Sequence, residues 1–181
     1  MTDPIEVATY DPAWPARFSV LGATLRHALG ATALRIDHIG STSIPGLDAK
    51  PIIDVQVSVA SFDPFDPICA AMEEIGFRHR PDNPDRSKRY FRELPDTSRT
   101  HLHFRRSGSW PEQFALLFRD YLRAHDSDRD DYARLKHELA AQFRFDRAMY
   151  VDAKAPFIWS VMQKADVWSQ AIGWVPGPSD A

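Results

Sequence analysis

The sequence predicts an α+β fold, in which a mixed β-sheet of four to five strands follows an N-terminal helix and precedes a set of about three helices. Three observations predict it. Apolar residues recur at helical spacing over residues 12–29, alternate strictly with polar ones over residues 53–59, and return to helical spacing after residue 109. Helices repeat every 3.6 residues and strands every two, so the first and third patterns indicate helices and the second a strand. Strands followed by a run of helices are typical of the α+β class.

The first helix is predicted over residues 12–29, because Asp11 and two prolines supply a helix start and Gly30 ends the apolar repeat. The predicted strands cover residues 33–39, 53–59, 77–80, 90–91 and 101–104. Between the second and third of them, the prolines that follow Asp63 begin a short amphipathic helix, which Gly76 ends. The last two strands are expected to pair in antiparallel fashion.

The second half of the chain carries helix-start signals. Ser109 and Glu112 match the capping-box pattern, in which a serine and a glutamate three residues later satisfy the first N–H groups of a helix. A second helix is expected to be capped by Ser127. A third is expected to begin near Ala155, where Pro156 suits a first turn.

We expect a single domain over residues 1–175. A chain of 181 residues with 44% hydrophobic and 12% aromatic content is long enough for one well-packed core and too short for two. Residues 176–181, Pro-Gly-Pro-Ser-Asp-Ala, are expected to form a frayed tail.

The charge of the chain disfavours two classes of partner. The formal net charge is −3 and the pI is about 6.1. Clustered positive charge drives binding to phosphate backbones, so neither nucleic acid nor a membrane surface is expected as a partner. The single cysteine, Cys69, cannot form an internal disulfide, and no secretion signal opens the chain. No apolar run approaches the ~20 residues of a membrane span, so a cytoplasmic location is expected.

The most informative stretch is residues 38–57. It has the pattern of a strand, a loop of small residues, a tight turn, a lysine and a second strand. Successive strand side chains point to opposite faces, so Asp54 and Gln56 share the face opposite the apolar residues. A carboxylate that faces a loop with exposed N–H groups is suited to hold a metal ion and a phosphate.

Residues 38–54 read His-Ile-Gly-Ser-Thr-Ser-Ile-Pro-Gly-Leu-Asp-Ala-Lys-Pro-Ile-Ile-Asp. This stretch resembles the signature of the GrpB family, a group of small bacterial proteins in the nucleotidyltransferase superfamily. Residues 7–18 and 101–103 are also similar to that family, so the resemblance covers about residues 5–170. It implies a nucleotidyltransferase-like fold, a nucleotide or another phosphate-containing small molecule as ligand, such as a nucleoside triphosphate, and a divalent metal, Mg or Mn. GrpB-like domains also occur fused to dephospho-CoA kinase, which implies coenzyme A metabolism as a second context.

Gly40, Ser41 and Thr42, followed by Asp54, resemble the loop and first aspartate of the superfamily. The resemblance implies that backbone donors and two hydroxyls of the loop contact the phosphates, and that Asp54 holds the metal ion. Taken alone, a Gly-Ser-Thr triplet is more often an ordinary turn beside a strand.

Gln56 is a departure from the superfamily pattern. Active members place a second carboxylate two residues after the first, and a neutral amide adds no negative charge to a two-metal site. Two functions therefore stay open: nucleotidyl transfer to a small acceptor, and a non-catalytic binding or accessory module that keeps the pocket. The sequence leaves open whether the protein is an enzyme. It has no kinase P-loop, so it is not itself the kinase.

His101 and His103 fall on one face of their predicted strand. Beside the Asp54 strand they would act with it as a catalytic group or as ligands of a transition metal, which would also suit a metal-dependent hydrolase. The alternative is that both are hydrogen-bonded structural histidines. His38 has the same two interpretations, and a core histidine that braces the loop is at least as good a description of it.

Lys50 and Lys154 are candidate phosphate contacts. Lys50 lies just before the Asp54 strand, and Lys154 lies in a segment, residues 150–157, that resembles a C-terminal GrpB motif. Among the arginines of the later strands, which include Arg89 and Arg105, Arg92 is the preferred phosphate contact. For each of these residues the alternative is a solvated side chain.

Overall fold

The computed structural model describes residues 4–95 and 97–181, which form one mixed sheet with helices on both of its faces. The strands are β1 (Arg35–Ile39), β2 (Ile53–Val59), β3 (Phe77–His79), β4 (Arg89–Glu93) and β5 (Thr100–Arg106). The helices are α1 (Trp14–Leu29), α2 (Asp66–Glu74), α3 (Trp110–Ala124), α4 (Asp126–Gln142), α5 (Arg147–Ala153) and α6 (Ala155–Ile172). The predicted α+β class, with its N-terminal helix and C-terminal helices, is confirmed.

The strand order β1-β2-β5-β4-β3 places the site-bearing strands side by side. β2 and β5 pair in parallel, whereas β1 with β2, β4 with β5, and β3 with β4 are antiparallel. In the parallel pair, Asp54 lies opposite His101 and Gln56 lies opposite His103. Residues opposite each other share a face of the sheet, so the polar residues of both strands point the same way.

The apolar face of the sheet packs against α1 and α2. Val55 and Val57 of β2 and Phe104 of β5 are completely buried there, together with Trp14 from the start of α1. Burying one large apolar side chain contributes roughly 1.5–3 kcal/mol. This core fixes the register of β2, since a slip of one residue would turn Asp54 into the core.

The polar face of the sheet is also covered, because α3 lies across it. Asp37, Gln56 and Ser58 are fully buried there, and so is Arg119 from α3. Beyond α3, the helices α4 and α6 complete a second apolar cluster. At the end of β2 that carries Asp54 the polar face is more open, and the side chain of Asp54 is 27% exposed.

Two helix-end predictions are wrong, and one helix was not predicted. The Glu112 carboxylate accepts a hydrogen bond from Gly108 N–H, and the Ser109 hydroxyl has no partner, so the expected capping box does not form. Ser127 lies inside the first turn of α4, which follows α3 after one residue. A short additional helix, α5, is capped by the carboxylate of Asp146, which accepts from Met149 N–H.

The tail at residues 176–181 does not fray but lies along the outer edge of β1. Ile36 N–H donates to the hydroxyl of Ser179, and His38 N–H donates to the carboxylate of Asp180. Ala181 N–H donates in return to the carbonyl of Ile36. An edge strand presents unpaired backbone groups, and the tail satisfies those of β1.

Across residues 4–95 and 97–181, none of the helices combines the length and the apolar character needed to cross a bilayer.

Candidate functional site

The loop between β1 and β2 brings the backbone of Gly40 against Asp54. Gly40 has a φ of 70°, in the left-handed region that favours glycine. A Cβ atom at this position would lie 2.7 Å from Oδ2 of Asp54 and 3.1 Å from its Cγ. Glycine is thus required both by the backbone conformation and by the close approach of the carboxylate.

The hydroxyls of this loop divide between the fold and the site. Thr42 is buried, its hydroxyl donates to the carbonyl of Ile52 at 3.2 Å, and it lies 3.0 Å from Nε2 of His38. Ser41 lines the cavity described below. Of the two hydroxyls expected to contact phosphate, that of Thr42 is therefore already committed to the fold.

His38 braces the loop. Its ring stacks on Phe18 with centroids 4.7 Å apart and an interplanar angle of 3°. Burial, together with the nearby positive charge of Arg123, lowers the pKa of His38 to about 4. The imidazole is neutral at physiological pH, in agreement with its interpretation as a core histidine.

Asp54, His101 and His103 converge where the polar face of the sheet is open. Oδ1 of Asp54 lies 3.1 Å from Nδ1 of His101 and 3.3 Å from Nε2 of His103. One ligand atom from each residue lies within 4.8 Å of the other two. The side chains remain partly accessible, at 27% for Asp54, 22% for His101 and 13% for His103.

The electrostatics of this triad favour a bound cation. Burial alone raises the pKa of Asp54, but hydrogen bonds from His101 and His103 outweigh it and hold that pKa well below its usual range. Burial lowers the pKa of His103, although Asp54 opposes the shift. A carboxylate and a neutral imidazole are the protonation states that ligate metal.

The donor set of this triad therefore fits a divalent ion. Two imidazole nitrogens and one carboxylate oxygen match a three-ligand site that leaves positions for other ligands, and such sets suit first-row transition ions. Asp54 would supply the negative charge, and His101 and His103 the neutral donors. This supports the residues predicted as metal ligands as a group.

The triad opens into a cavity of about 470 Å³ between the sheet and the C-terminal helices. It is lined by Gly40, Ser41, Thr42, Ala49, Lys50, Ile52, Asp54, Asn83, Lys88, Tyr90, His101, His103, Tyr132, Lys136, Tyr150, Val151 and Lys154. The structure thus brings together the predicted Gly40, Ser41, Thr42, Lys50, Asp54, His101, His103 and Lys154.

Four lysines line the cavity, namely Lys50, Lys88, Lys136 and Lys154. Burial and the positive charges of neighbouring basic residues, chiefly Lys154, lower the pKa of Lys50 to about 8. Burial and Lys154 likewise lower the pKa of Lys136 to about 7. A cavity that carries one carboxylate and four lysine amino groups is suited to a ligand with several negative charges, which would favour the charged form of each lysine.

Three tyrosines, Tyr90, Tyr132 and Tyr150, also line the cavity. The ammonium groups of Lys50 and Lys154 lie 4.9 Å and 4.6 Å from the ring centroid of Tyr150. That of Lys136 lies 4.7 Å from the ring of Tyr132. These cation–π contacts hold the ammonium groups beside the cavity. Tyr90 flanks the triad, with its ring centroid 5.3 Å from that of His103.

Arg92 is not brought into the cavity. It shares a face of the sheet with His101, its register partner, but its guanidinium pairs with Glu93 at 2.9 Å and is not among the lining groups. Arg89 lies over the ring of Phe62, 4.6 Å from its centroid. The register of β4 puts Arg89 on the opposite face, because it pairs with Phe104.

Several residues that line the cavity were not predicted from the sequence, namely Lys88, Tyr90, Tyr132, Lys136 and Tyr150. Tyr132 and Lys136 are four residues apart and so share one face of α4, a signal compatible with either core or site. Lys88 and Tyr90 flank the start of β4, and Tyr150 begins the segment 150–157 already singled out. None of these signals identifies a site without the fold.

Gln56 lies below the cavity and does not line it. Its side chain is completely buried under α3, and its Nε2 donates to the carbonyl of Glu112 at 3.3 Å. It is thus placed two residues from Asp54 in the sequence but on the closed side of the triad.

The structural comparisons agree with this fold. The GrpB protein of Enterococcus faecalis superposes with a TM-score of 0.81 at 32% identity, covering 90% of this chain and 99% of that one. The Cid1 poly(U) polymerase, in a structure with bound MgGTP, matches with a TM-score of 0.51 at 15% identity, over 75% of this chain and 44% of that one. This weaker likeness shows that the fold is nucleotidyltransferase-like.

The sequence comparisons extend over most of the chain. A UPF0157 protein of Halalkalibacterium halodurans is 38% identical over 162 residues, which cover 90% of this chain and 83% of the relative. The dephospho-CoA kinase of Mycobacterium bovis is 33% identical over an alignment of 199 positions. This alignment covers 96% of this chain but 49% of the kinase. The chain therefore corresponds to about half the length of that kinase. The family model described as GrpB protein matches residues 4–164, and the chain belongs to the GrpB family.

Proposed function

We propose that this protein binds a nucleoside triphosphate together with a divalent ion, Mg or Mn, in the cavity above Asp54, and transfers the nucleotidyl group to a small acceptor. One observation carries the proposal: three side chains able to ligate a metal ion, Asp54, His101 and His103, open into a cavity lined by four lysines. A metal–triphosphate complex needs both a cation site and positive charge beside it.

The lysines are the groups that would hold the phosphates. They come from four segments of the chain: Lys50 from the loop before β2, Lys88 from the segment before β4, Lys136 from α4, and Lys154 from the junction of α5 and α6. Backbone N–H groups and the Ser41 hydroxyl would add hydrogen bonds at the loop. A bound divalent ion would neutralise charge on the phosphates and polarise them. The rings of Tyr132 and Tyr150 offer apolar surface for the base or the sugar.

Isothermal titration with each nucleoside triphosphate, in the presence of Mg²⁺ or Mn²⁺, tests the binding step. We expect heat with at least one nucleotide. Lys154→Met should weaken binding, while Lys164→Met, on α6 and outside the cavity, should leave it unchanged. Absence of heat at millimolar nucleotide would overturn the proposal.

A second function has its own support. The chain matches about half of a dephospho-CoA kinase, and Gln56 stands where active superfamily members have a second carboxylate. Both observations favour a non-catalytic nucleotide-binding or accessory module in coenzyme A metabolism. Nucleotide binding that persists in Asp54→Asn, without turnover in the unmodified protein, would favour this function over transfer. Release of inorganic phosphate without any acceptor would instead indicate a hydrolase.

A further inference from the structure

Several buried polar atoms without hydrogen-bond partners lie beneath the triad. They are Oε1 of Gln56, Oγ of Ser58, Nδ1 of His103, Nε of Arg105, Oγ of Ser109 and Oε1 of Glu112. Gln56 is the register partner of His103, and Ser58 that of Arg105, so these four side chains stand side by side on the face that α3 covers. Unpartnered buried polar groups are rare and need an explanation.

A hydrogen bond to α3 sets the orientation of the Gln56 amide. Its Nε2 donates to the backbone carbonyl of Glu112, which can only accept. A reversed amide would place two oxygens against each other. The amide oxygen of Gln56 is therefore the atom left over. The residue opposite Gln56 on β5 is His103, whose Nδ1 is also unpartnered.

His103 needs an acceptor at this position if it ligates a metal. Its Nε2 faces Asp54, so Nε2 is the atom that would bind the ion, and Nδ1 must then carry the proton. Ligand histidines generally donate this second N–H to a carboxylate, a carbonyl or a water, which fixes the tautomer and the ring orientation.

We propose that Gln56 is a positioning residue. Its amide oxygen accepts a hydrogen bond from one ordered water that in turn accepts from Nδ1–H of His103, and this bridge directs the Nε2 lone pair of His103 toward the cation. This inference rests on the metal part of the proposed function and does not require a nucleotide. It gives position 56 a role that a missing second carboxylate would not have.

An amide suits this position better than a carboxylate. Gln56 is also the register partner of Asp37 on its other side, and Asp37 is fully buried. A carboxylate at position 56 would place two buried negative charges on neighbouring strands, and like charges in such a position are destabilising. The amide supplies the acceptor without the charge.

The cation class follows from a histidine held in this way. Two oriented imidazole nitrogens favour Mn²⁺ and the later first-row ions, whereas Mg²⁺ prefers oxygen ligands. The site therefore binds Mn²⁺ more tightly than Mg²⁺ when no nucleotide is present.

The test titrates the full chain with Mn²⁺ alone and repeats the titration with Mg²⁺. We expect Gln56→Met, which keeps the length of the side chain but removes the acceptor, to raise the Kd for Mn²⁺ about 10- to 100-fold. The matched control is Ser58→Ala, which alters the same buried layer two residues farther along β2 and should leave the Kd unchanged. Thermal unfolding of both variants separates lost metal binding from lost folding.

A second measurement uses the unmodified protein loaded with Zn²⁺. The Nδ1 proton of His103 should be visible by NMR and protected from exchange with solvent. Three results would each overturn the inference. Gln56→Met could bind Mn²⁺ as tightly as the unmodified protein, the unmodified protein could fail to bind Mn²⁺, or the Nδ1 proton of His103 could exchange rapidly. Failure of the nucleotide titration with Mn²⁺ binding intact would affect the proposed function alone.

Discussion

Gly40 and Asp54 are in direct contact across the mouth of the site, and the contact leaves no room for a side chain at position 40. A Cβ atom there would lie 2.7 Å from Oδ2 of Asp54. The carboxylate is therefore held between the loop on one side and the imidazoles of His101 and His103 on the other.

Gly40→Ala should disrupt the metal site beyond its effect on the backbone. Gly40 has φ 70° and ψ −175°, a backbone conformation that essentially only glycine adopts. This conformation alone costs another residue roughly 1–3 kcal/mol, and the added methyl group must also displace the carboxylate. Gly173→Ala is the control for a positive φ without a steric contact, because Gly173 has φ 65° and no atom within 4 Å of the added Cβ. Its ψ of 42° puts it in the αL region, so its backbone strain should be smaller than that at Gly40. We expect both variants to lose stability in chemical denaturation, and only Gly40→Ala to lose Mn²⁺ affinity. Equal Mn²⁺ affinity in the two variants would contradict this.

Anion binding should be coupled to proton uptake. The pKa values of Lys50 and Lys136 are lowered to about 8 and about 7, and a bound phosphate favours the charged ammonium and raises them. Triphosphate affinity should therefore fall as pH rises from 7 to 9, and titrations in buffers of different ionisation heat should show protons taken up. Lys136→Met should reduce the number of protons taken up. An uptake equal to that of the unmodified protein would show that Lys136 does not take part.

The same lysines affect stability in the metal-free and ligand-free protein. Because the folded-state pKa of Lys136 lies below the ordinary value of about 10.4, the unfolded chain binds more protons between these two values. This group's contribution to the free energy of unfolding therefore increases as pH rises from about 7 to about 10. Chemical denaturation over this pH range should show a smaller increase in the free energy of unfolding for Lys136→Met than for the unmodified protein.

Asp54 affects stability at acid pH, where its contribution to the free energy of unfolding also increases as pH rises. Its folded-state pKa is held below the ordinary value by His101 and His103, so the stabilisation is complete above the unfolded pKa, about 3.9, and is lost as pH falls through the folded one. As pH falls from 5, the free energy of unfolding should decrease less in Asp54→Asn than in the unmodified protein. It should also abolish Mn²⁺ binding, which direct titration measures.

Arg119 should be important for stability. It is 3% exposed and donates to the carbonyl of His38 at 3.0 Å and to the carboxylate of Asp180 at 2.8 Å, with Asp37 at 4.0 Å. Removing one partner of a buried ion pair costs about 3–5 kcal/mol, so Arg119→Met should lower the free energy of unfolding by an amount of that order.

The control for Arg119→Met is Arg134→Met. Arg134 is an exposed arginine that pairs with Asp131, and such surface pairs contribute about 0–1 kcal/mol. Similar losses in the two variants would mean that the Arg119 network contributes little.

Local patterns predicted the strands and which residues share a face, because a strict alternation fixes the face of each residue. They did not predict that the two strands lie side by side, which was a condition of the predicted triad. Asp54, His101 and His103 each lie in such a strand, and the parallel pairing of β2 with β5 brings the three together. The lysines that complete the cavity could not be found in this way. Lys88 and Lys136 come from distant segments, and only packing of α4 and of the β3–β4 connection brings them to the site.

The tail shows a different limit of sequence reasoning. Pro-Gly-Pro-Ser-Asp-Ala has no periodicity, so no regular element is predicted for it. Its position depends instead on bonds to β1 and Arg119, which are distant in sequence. The short helix α5 was missed for a similar reason, since seven residues are too few for a clear helical repeat.

The docked tail also has a consequence for assembly. With Ser179, Asp180 and Ala181 bonded to Ile36 and His38, this margin of the sheet has no unmet backbone donors at those two residues to recruit a strand from a second molecule. At the opposite margin, β3 offers three residues. Open sheets can polymerise by pairing their edge strands. In this protein such pairing is opposed at β1 by residues 179–181 and at the other edge by the short length of β3.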